Sequence, residues 1–93
     1  MRKYLILTIT LFILFFTVSC LYAQTGNELV QKGYAELQKK NYSGALEYFN
    51  KFIEQNPGRA VGYNARGTTY FLMKLLEPAI VDFNKAIELD SNY

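Results

Sequence analysis

Ninety-three residues are fewer than an average domain uses, so the chain has room for one small core. Arg2 and Lys3 carry the whole formal charge of +2, because beyond Cys20 eight Lys and Arg stand against eight Asp and Glu. A neutral body lacks the basic stripe that nucleic-acid binding needs. The absence of histidine and the single Cys20 exclude an imidazole base, the Ser–His and Cys–His pairs, most zinc sites and an internal disulfide.

Met1-Arg2-Lys3 is a short positive segment, and Leu5 to Val18 is an apolar run of secretory length. Residues 1–23 are therefore expected to form a helical signal segment that exports the chain to a bacterial periplasm or outer membrane. Cleavage before Gln24 puts small Ala23 ahead of the cut but bulky Leu21 at the third place. Alternatively Thr17-Val18-Ser19-Cys20 resembles a relaxed lipobox without its usual Leu, which would end the signal before Cys20 and make Cys20 the lipidation site. The plain reading of Cys20 is a small apolar residue discarded with the signal. A retained anchor needs about 20 apolar residues, a length reached only by counting to Ala23.

A shift of 34 residues superimposes Gly33 on Gly67, Lys40 on Lys74, Ala45 on Ala79, Phe49 on Phe83, Asn50-Lys51 on Asn84-Lys85 and Ile53-Glu54 on Ile87-Glu88. The repeats are residues 26–59 and 60–93, each read as two helices. In the first, Asn27 caps a helix running to Lys40, Asn41-Tyr42-Ser43 turns, and Ser43 caps a second helix. That helix buries Ala45, Leu46, Phe49, Phe52 and Ile53, and Asn56-Pro57-Gly58 stops it. In the second copy a helix over 61–74 precedes one opened by Glu77-Pro78, with Ala79, Ile80, Phe83, Ala86 and Ile87 as its buried stripe. Gly33 with Ala45, and Gly67 with Ala79, are small enough for the paired helices to approach closely.

Leu29, Gly33, Tyr42, Ala45, Phe49 and Pro57 in the first copy, and Tyr63, Gly67, Tyr70, Ala79, Phe83 and Ala86 in the second, resemble the tetratricopeptide repeat pattern. The resemblance implies an all-α fold of two tandem helix–turn–helix repeats in a short right-handed superhelical array. Phe52 stands where that family has a small residue, which predicts a wider contact between repeats. Lys32 and Arg66 replace a Leu, with their stems expected on apolar surface and their charges in water. Glu36 and Ser91 also depart from the pattern.

The same resemblance implies a concave groove lined by Asn27, Val30, Tyr34, Leu37, Gln38, Val61, Asn64, Thr68, Phe71 and Leu72. Its partner would be another protein or a peptide, whose apolar residues it buries. Equally, these residues could pack on a third repeat, a second copy or a partner subunit. A clamp for a terminal carboxylate would put Lys and Arg at Val30, Tyr34, Asn64 and Thr68, and only Asn64 suits it.

No catalytic, metal or cofactor site is expected. Glu77 and Asp82 are spaced wrongly for one helical face, and no glycine-rich phosphate loop is present. The reading is an interaction module of the cell envelope, touching membrane only through the leader or a lipid on Cys20. The alternatives are a lipid-anchored accessory protein of an outer-membrane assembly and the front portion of a longer array. Because about three repeats bury their faces together, self-association or folding on a partner also fits two copies.

Overall fold

The computed structural model describes residues 2–90, and side chains there except at positions 19–25. The lipidation at Cys20, cleavage between Ala23 and Gln24, and the ending at Ser91 lie outside the described residues or side chains. Four helices follow one another: α1 (Arg2–Gln38), α2 (Tyr42–Gln55), α3 (Ala60–Leu72) and α4 (Leu76–Leu89). Each helix packs on the next, and α1 also touches α3, so the two first helices of the repeats lie side by side.

The first helix corrects the expected start at Asn27. Leader and repeat form one 37-residue helix, with Asn27 in its interior. No proline interrupts the helix, and the glycine beside Asn27, Gly26, costs it only about 1 kcal/mol, too little to break it. From Tyr4 to Val18 nearly every large apolar side chain is exposed. Among the described residues no helix is long and apolar enough to cross a membrane.

Both first helices end alike, two residues earlier than the sequence suggests. Lys40 and Lys74 adopt positive φ, 62° and 64°. Their N–H groups bond the carbonyls of Leu37 and Phe71 at 2.9 Å, while those of Asn41 and Leu75 reach back to Glu36 and Tyr70, also at 2.9 Å. This is the double bond pattern of a Schellman terminus, in which the left-handed residue is usually glycine. A Cβ in that conformation costs about 1–2 kcal/mol. Lys40→Gly and Lys74→Gly are each expected to raise stability by about 1 kcal/mol once glycine's extra unfolded-state freedom is subtracted. Urea unfolding followed by far-UV circular dichroism checks this, and a loss of stability in both variants contradicts it.

The cap of α2 is Asn41 rather than Ser43. Asn41 Oδ1 accepts from the Gly44 N–H at 3.2 Å, and its Nδ2 donates to Glu36 Oε2 at 2.7 Å. An Asn at this place satisfies one orphan N–H of the first turn. In the second repeat the corresponding Leu75 offers no such bond. Pro78 sits in the first turn of α4, where a missing N–H loses no helical bond.

The core lies where each repeat's two helices cross and where α3 meets α2. Ala45, Phe49 and Ala65 form its centre, with Leu37 packed against them. A Cβ at Gly33 would fall within the Phe49 ring, 2.7 Å from Cζ, and one at Gly67 would lie 2.9 Å from Phe83 Cε1. Glycine here is required by close approach, as the small-residue pattern predicts.

Phe52 does not widen the contact between repeats. Its ring is fully buried because Gly62 yields to it: a Cβ there would sit 2.7 Å from Phe52 Cδ1 and 2.8 Å from Ile53 Cγ1. Gly26 of α1 flanks the same ring, and the Arg59 guanidinium lies 5.3 Å from its centroid. The large residue is matched by a small one on the neighbouring helix.

Candidate interaction site

The expected groove residues occupy α1 and α3 at the same spacing of i, i+3, i+7, i+10 and i+11, which keeps each set on one face of its helix. On α1, Asn27 and Gln38 are exposed, and Val30 is half-buried. Tyr34 is 39% exposed and sets its ring edge-on to Phe49, with centroids 5.3 Å apart. Leu37 turns partly into the core described above, so it is shared between core and surface. On α3, Val61, Asn64 and Thr68 are half-buried, and the Thr68 hydroxyl donates to the Asn64 carbonyl at 2.8 Å. Phe71 is 56% exposed, and Leu72 beside it is nearly as open. Two large side chains therefore stand in water at the end of α3, where burial in a partner is worth about 1.5–3 kcal/mol apiece. None of the ten residues is Lys or Arg.

A second arrangement was missed by the sequence reading. Arg66, expected to hold its charge in water, instead grips Asp82 of α4 through two bonds, Nε to Oδ2 at 2.7 Å and Nη2 to Oδ1 at 2.8 Å. Its third nitrogen donates to Asn50 Oδ1 of α2 at 3.0 Å, and the Tyr63 ring lies 5.7 Å from the guanidinium. The bonds to Asp82 hold the Arg66 pKa above its ordinary value, against the opposing cost of burial. One side chain on α3 thus ties together the second helices of both repeats.

The visible signal was the substitution pattern itself. Lys32 and Tyr48 occupy the places of Arg66 and Asp82 in the first copy, so Arg and Asp appear together only where they pair. No buried side-chain nitrogen or oxygen among the described residues lacks a partner. The Thr69 hydroxyl, fully buried in α3, donates to the Ala65 carbonyl at 2.9 Å.

Two family models for the tetratricopeptide repeat match residues 29–59 and 60–93, one for each helical pair. The chain belongs to the tetratricopeptide repeat family. In keeping with that, it is 31% identical over 71 residues to a STIP1 homolog of Dictyostelium discoideum, a match covering 76% of this chain and 13% of that protein. It is 37% identical over 54 residues to mouse serine/threonine-protein phosphatase 5, covering 58% of this chain and 11% of the phosphatase. A tetratricopeptide repeat protein 36 homolog of Nematostella vectensis is 39% identical over 62 residues, covering 67% of this chain and 34% of the relative. The chain thus spans between 11% and 34% of the length of these relatives, and its likeness to the phosphatase lies in the repeats.

Among solved structures, the first tetratricopeptide domain of Spaghetti (RPAP3), bound to the HSP90 peptide SRMEEVD, aligns with a TM-score of 0.72 at 27% identity. The TPR2B domain of yeast Sti1 in a pHsp70 complex aligns with a TM-score of 0.71 at 28% identity. Each alignment covers 75% of this chain and 56% of the other. The tetratricopeptide fold is a scaffold for protein interaction, and both neighbours hold a peptide or protein partner.

Proposed function

We propose that this chain is a protein-interaction module of the bacterial cell envelope that takes an apolar peptide or partner helix along the α1–α3 face. The observation that carries the reading is the exposure of Tyr34, Phe71 and Leu72 on the first helices of the two repeats. Exposed side chains of this size on one surface usually mark a binding site. A helix presenting apolar residues at i, i+3 or i+4 and i+7 would bury them there without any chemical step.

The chemistry of that face favours an apolar ligand over an acidic one. The seven-residue peptide held by the Spaghetti domain ends in Glu-Glu-Val-Asp and carries several carboxylates. Such a ligand needs cations to pair with, and the ten groove residues supply none. The positive Arg2-Lys3 pair and the apolar run after it support export by residues 1–23. A helix apolar on all sides belongs in lipid or in a translocation channel rather than in water.

Capture from an envelope extract tests both parts, using the wild-type chain and a Tyr34→Ala/Phe71→Ala variant as baits. The expected result is a protein retained by the first bait and at least tenfold depleted from the second. Equal recovery sinks the groove assignment, as does micromolar binding of SRMEEVD to the wild-type chain. The intact mass of the recovered bait reads the leader: a start at Gln24 reports simple cleavage, an acylated Cys20 reports the lipid-anchored version, and an uncleaved cytoplasmic chain removes the envelope reading.

A further inference from the structure

Translation by 34 residues pairs each position of the second repeat with one in the first, where α3 packs on α2. Ile80 and Ile87, expected in a buried stripe, are instead 56% and 51% exposed, because α4 meets only α3 among the described helices. Openness of that kind says nothing of a ligand. The turn between α3 and α4 is different. Leu72, Met73 and Leu75 correspond to Gln38, Lys39 and Asn41, which are exposed even with a neighbouring repeat in place. Leu72 and Leu75 are 45% and 44% exposed, and Met73 is half-buried. The turn itself does not demand apolar residues, since the first copy closes with the same pair of 2.9 Å bonds on polar ones. Three polar-to-apolar replacements thus fall together at places that water reaches in either copy.

Lysines share that end of the molecule. Gly26 of α1 and Gly62 of α3 flank one Phe52 ring, so the two helices lie level and end together. Lys39 and Lys40 therefore follow α1 at the end where Lys74 stands between Met73 and Leu75. All three lysines are exposed. Of the nearby carboxylates, Glu36 is tied to Lys39 at 3.7 Å and to Asn41 at 2.7 Å, and Glu77 opens α4. The opposite end is acidic, with Glu28, Glu54, Glu88 and Asp90 against Arg59. The body is neutral as a whole and polarised along its helices.

We infer that the α3–α4 turn, with Lys39 and Lys40 beside it, docks on the anionic surface of a lipid bilayer. An apolar turn at the extremity of a hairpin enters a planar interface without needing a cleft in its partner. Lysine ammonium groups reach lipid phosphates on flexible stems that lie along the apolar boundary. An anionic surface repels the acidic end, so the charge asymmetry selects the orientation that brings the turn into contact. Leu72 also belongs to the α1–α3 groove, but the docking rests on Met73, Leu75 and the lysines. It does not require the groove to bind a peptide.

The test places an environment-sensitive fluorophore on Leu72→Cys, and separately on Gln55→Cys at the acidic end, in the full chain with Cys20→Ser. Vesicles hold phosphatidylglycerol and phosphatidylcholine in equal parts, or phosphatidylcholine alone. Insertion of residues 2–18 does not by itself carry the first probe into lipid, because that probe sits about 30 Å beyond Val18 along the helix axis. The expected result is a blue shift of the Leu72→Cys probe on anionic vesicles and none of the Gln55→Cys probe. Each lysine contact is worth about fivefold in partitioning. Half-saturation should therefore need at least tenfold more lipid after Lys40→Gln/Lys74→Gln, and likewise on phosphatidylcholine alone or after Met73→Gln/Leu75→Asn. Every variant should keep the wild-type circular dichroism spectrum, since the first copy makes this turn with polar residues. No shift at Leu72→Cys, equal shifts of both probes, or half-saturation unchanged by either double substitution overturns the assignment. So does a shift that appears without vesicles and grows with protein concentration, which gives the turn to a second copy.

Discussion

Replacing Phe49 with alanine is expected to cost about 3–5 kcal/mol, the range for truncating a fully buried aromatic ring. Its side chain has no exposure, fills the space over Gly33, lies 5.3 Å from the Tyr34 ring, and joins Ala45 and Ala65 at the centre of the core. The cavity cannot collapse easily, because its walls are helix backbone at Gly33 and the methyl groups of two alanines. A domain of ordinary size has about 5–15 kcal/mol in reserve, and a body of four short helix segments sits near the bottom of that range. Phe49→Ala should therefore leave a largely unfolded chain at 25 °C, read as loss of helical signal from α2 and α3. Phe83→Ala removes the same ring from the equivalent place in the second repeat. Phe83 is only half-buried, so its loss should cost roughly half as much. Equal urea midpoints for the two variants would show that the second repeat is as tightly closed as the first.

That asymmetry bears on how much the sequence can say. The fold was legible because the signals agree twice at one offset, small residues at the crossings and phenylalanines beside them, with Pro57 marking the end of α2 and Pro78 the start of α4. The helix ends were less legible, because a lysine in a left-handed terminus carries no mark of its own; only the recurrence of Lys40 at Lys74 hinted at a shared conformation. The continuity of α1 was hidden by Asn27, which is a good cap in isolation but sits in mid-helix when the preceding residues are already helical. Ile80 and Ile87 were misplaced for another reason. Apolar periodicity identifies the face a helix could bury, and it does not tell whether a neighbour is there to bury it. The ten groove residues followed from the family resemblance and fall on α1 and α3, yet the partial commitment of Leu37 to the core could not be read from it. Asp82 was missed as a partner for Arg66 because the two stand 16 residues apart on different helices, and their pairing shows in the sequence only as a joint departure from Lys32 and Tyr48 of the first copy.

That pair sets the second large effect. Arg66→Ala is expected to destabilise the chain by about 3–5 kcal/mol, because the carboxylate it leaves behind has nowhere to go. The Asp82 side chain is 4% exposed, against 24% for Arg66, so water cannot replace the two lost donors without opening α3 from α4. Asp82→Ala removes the same two bonds and leaves the guanidinium instead. Arg66 retains Asn50 Oδ1 at 3.0 Å, the Tyr63 ring and a route to solvent, so about 2 kcal/mol is expected there. Asn50→Ala should cost no more than about 1 kcal/mol, since the bond it removes is exposed. The predicted order, Arg66→Ala above Asp82→Ala above Asn50→Ala, reflects burial rather than bond count and is checked by urea unfolding at fixed pH. The double variant Arg66→Met/Asp82→Leu decides what the pair contributes as a whole. Two apolar side chains of similar volume remove both desolvation costs, and replacements of this kind are commonly neutral or stabilising. If the double variant is as stable as wild type while either single truncation is not, the ion pair contributes little net stability. Its effect would then be to fix the register of α3 between α2 and α4, and with it the position of Phe71 and Leu72 on the open face. A double variant that keeps its stability and still captures the envelope partner as well as wild type would remove that positioning role.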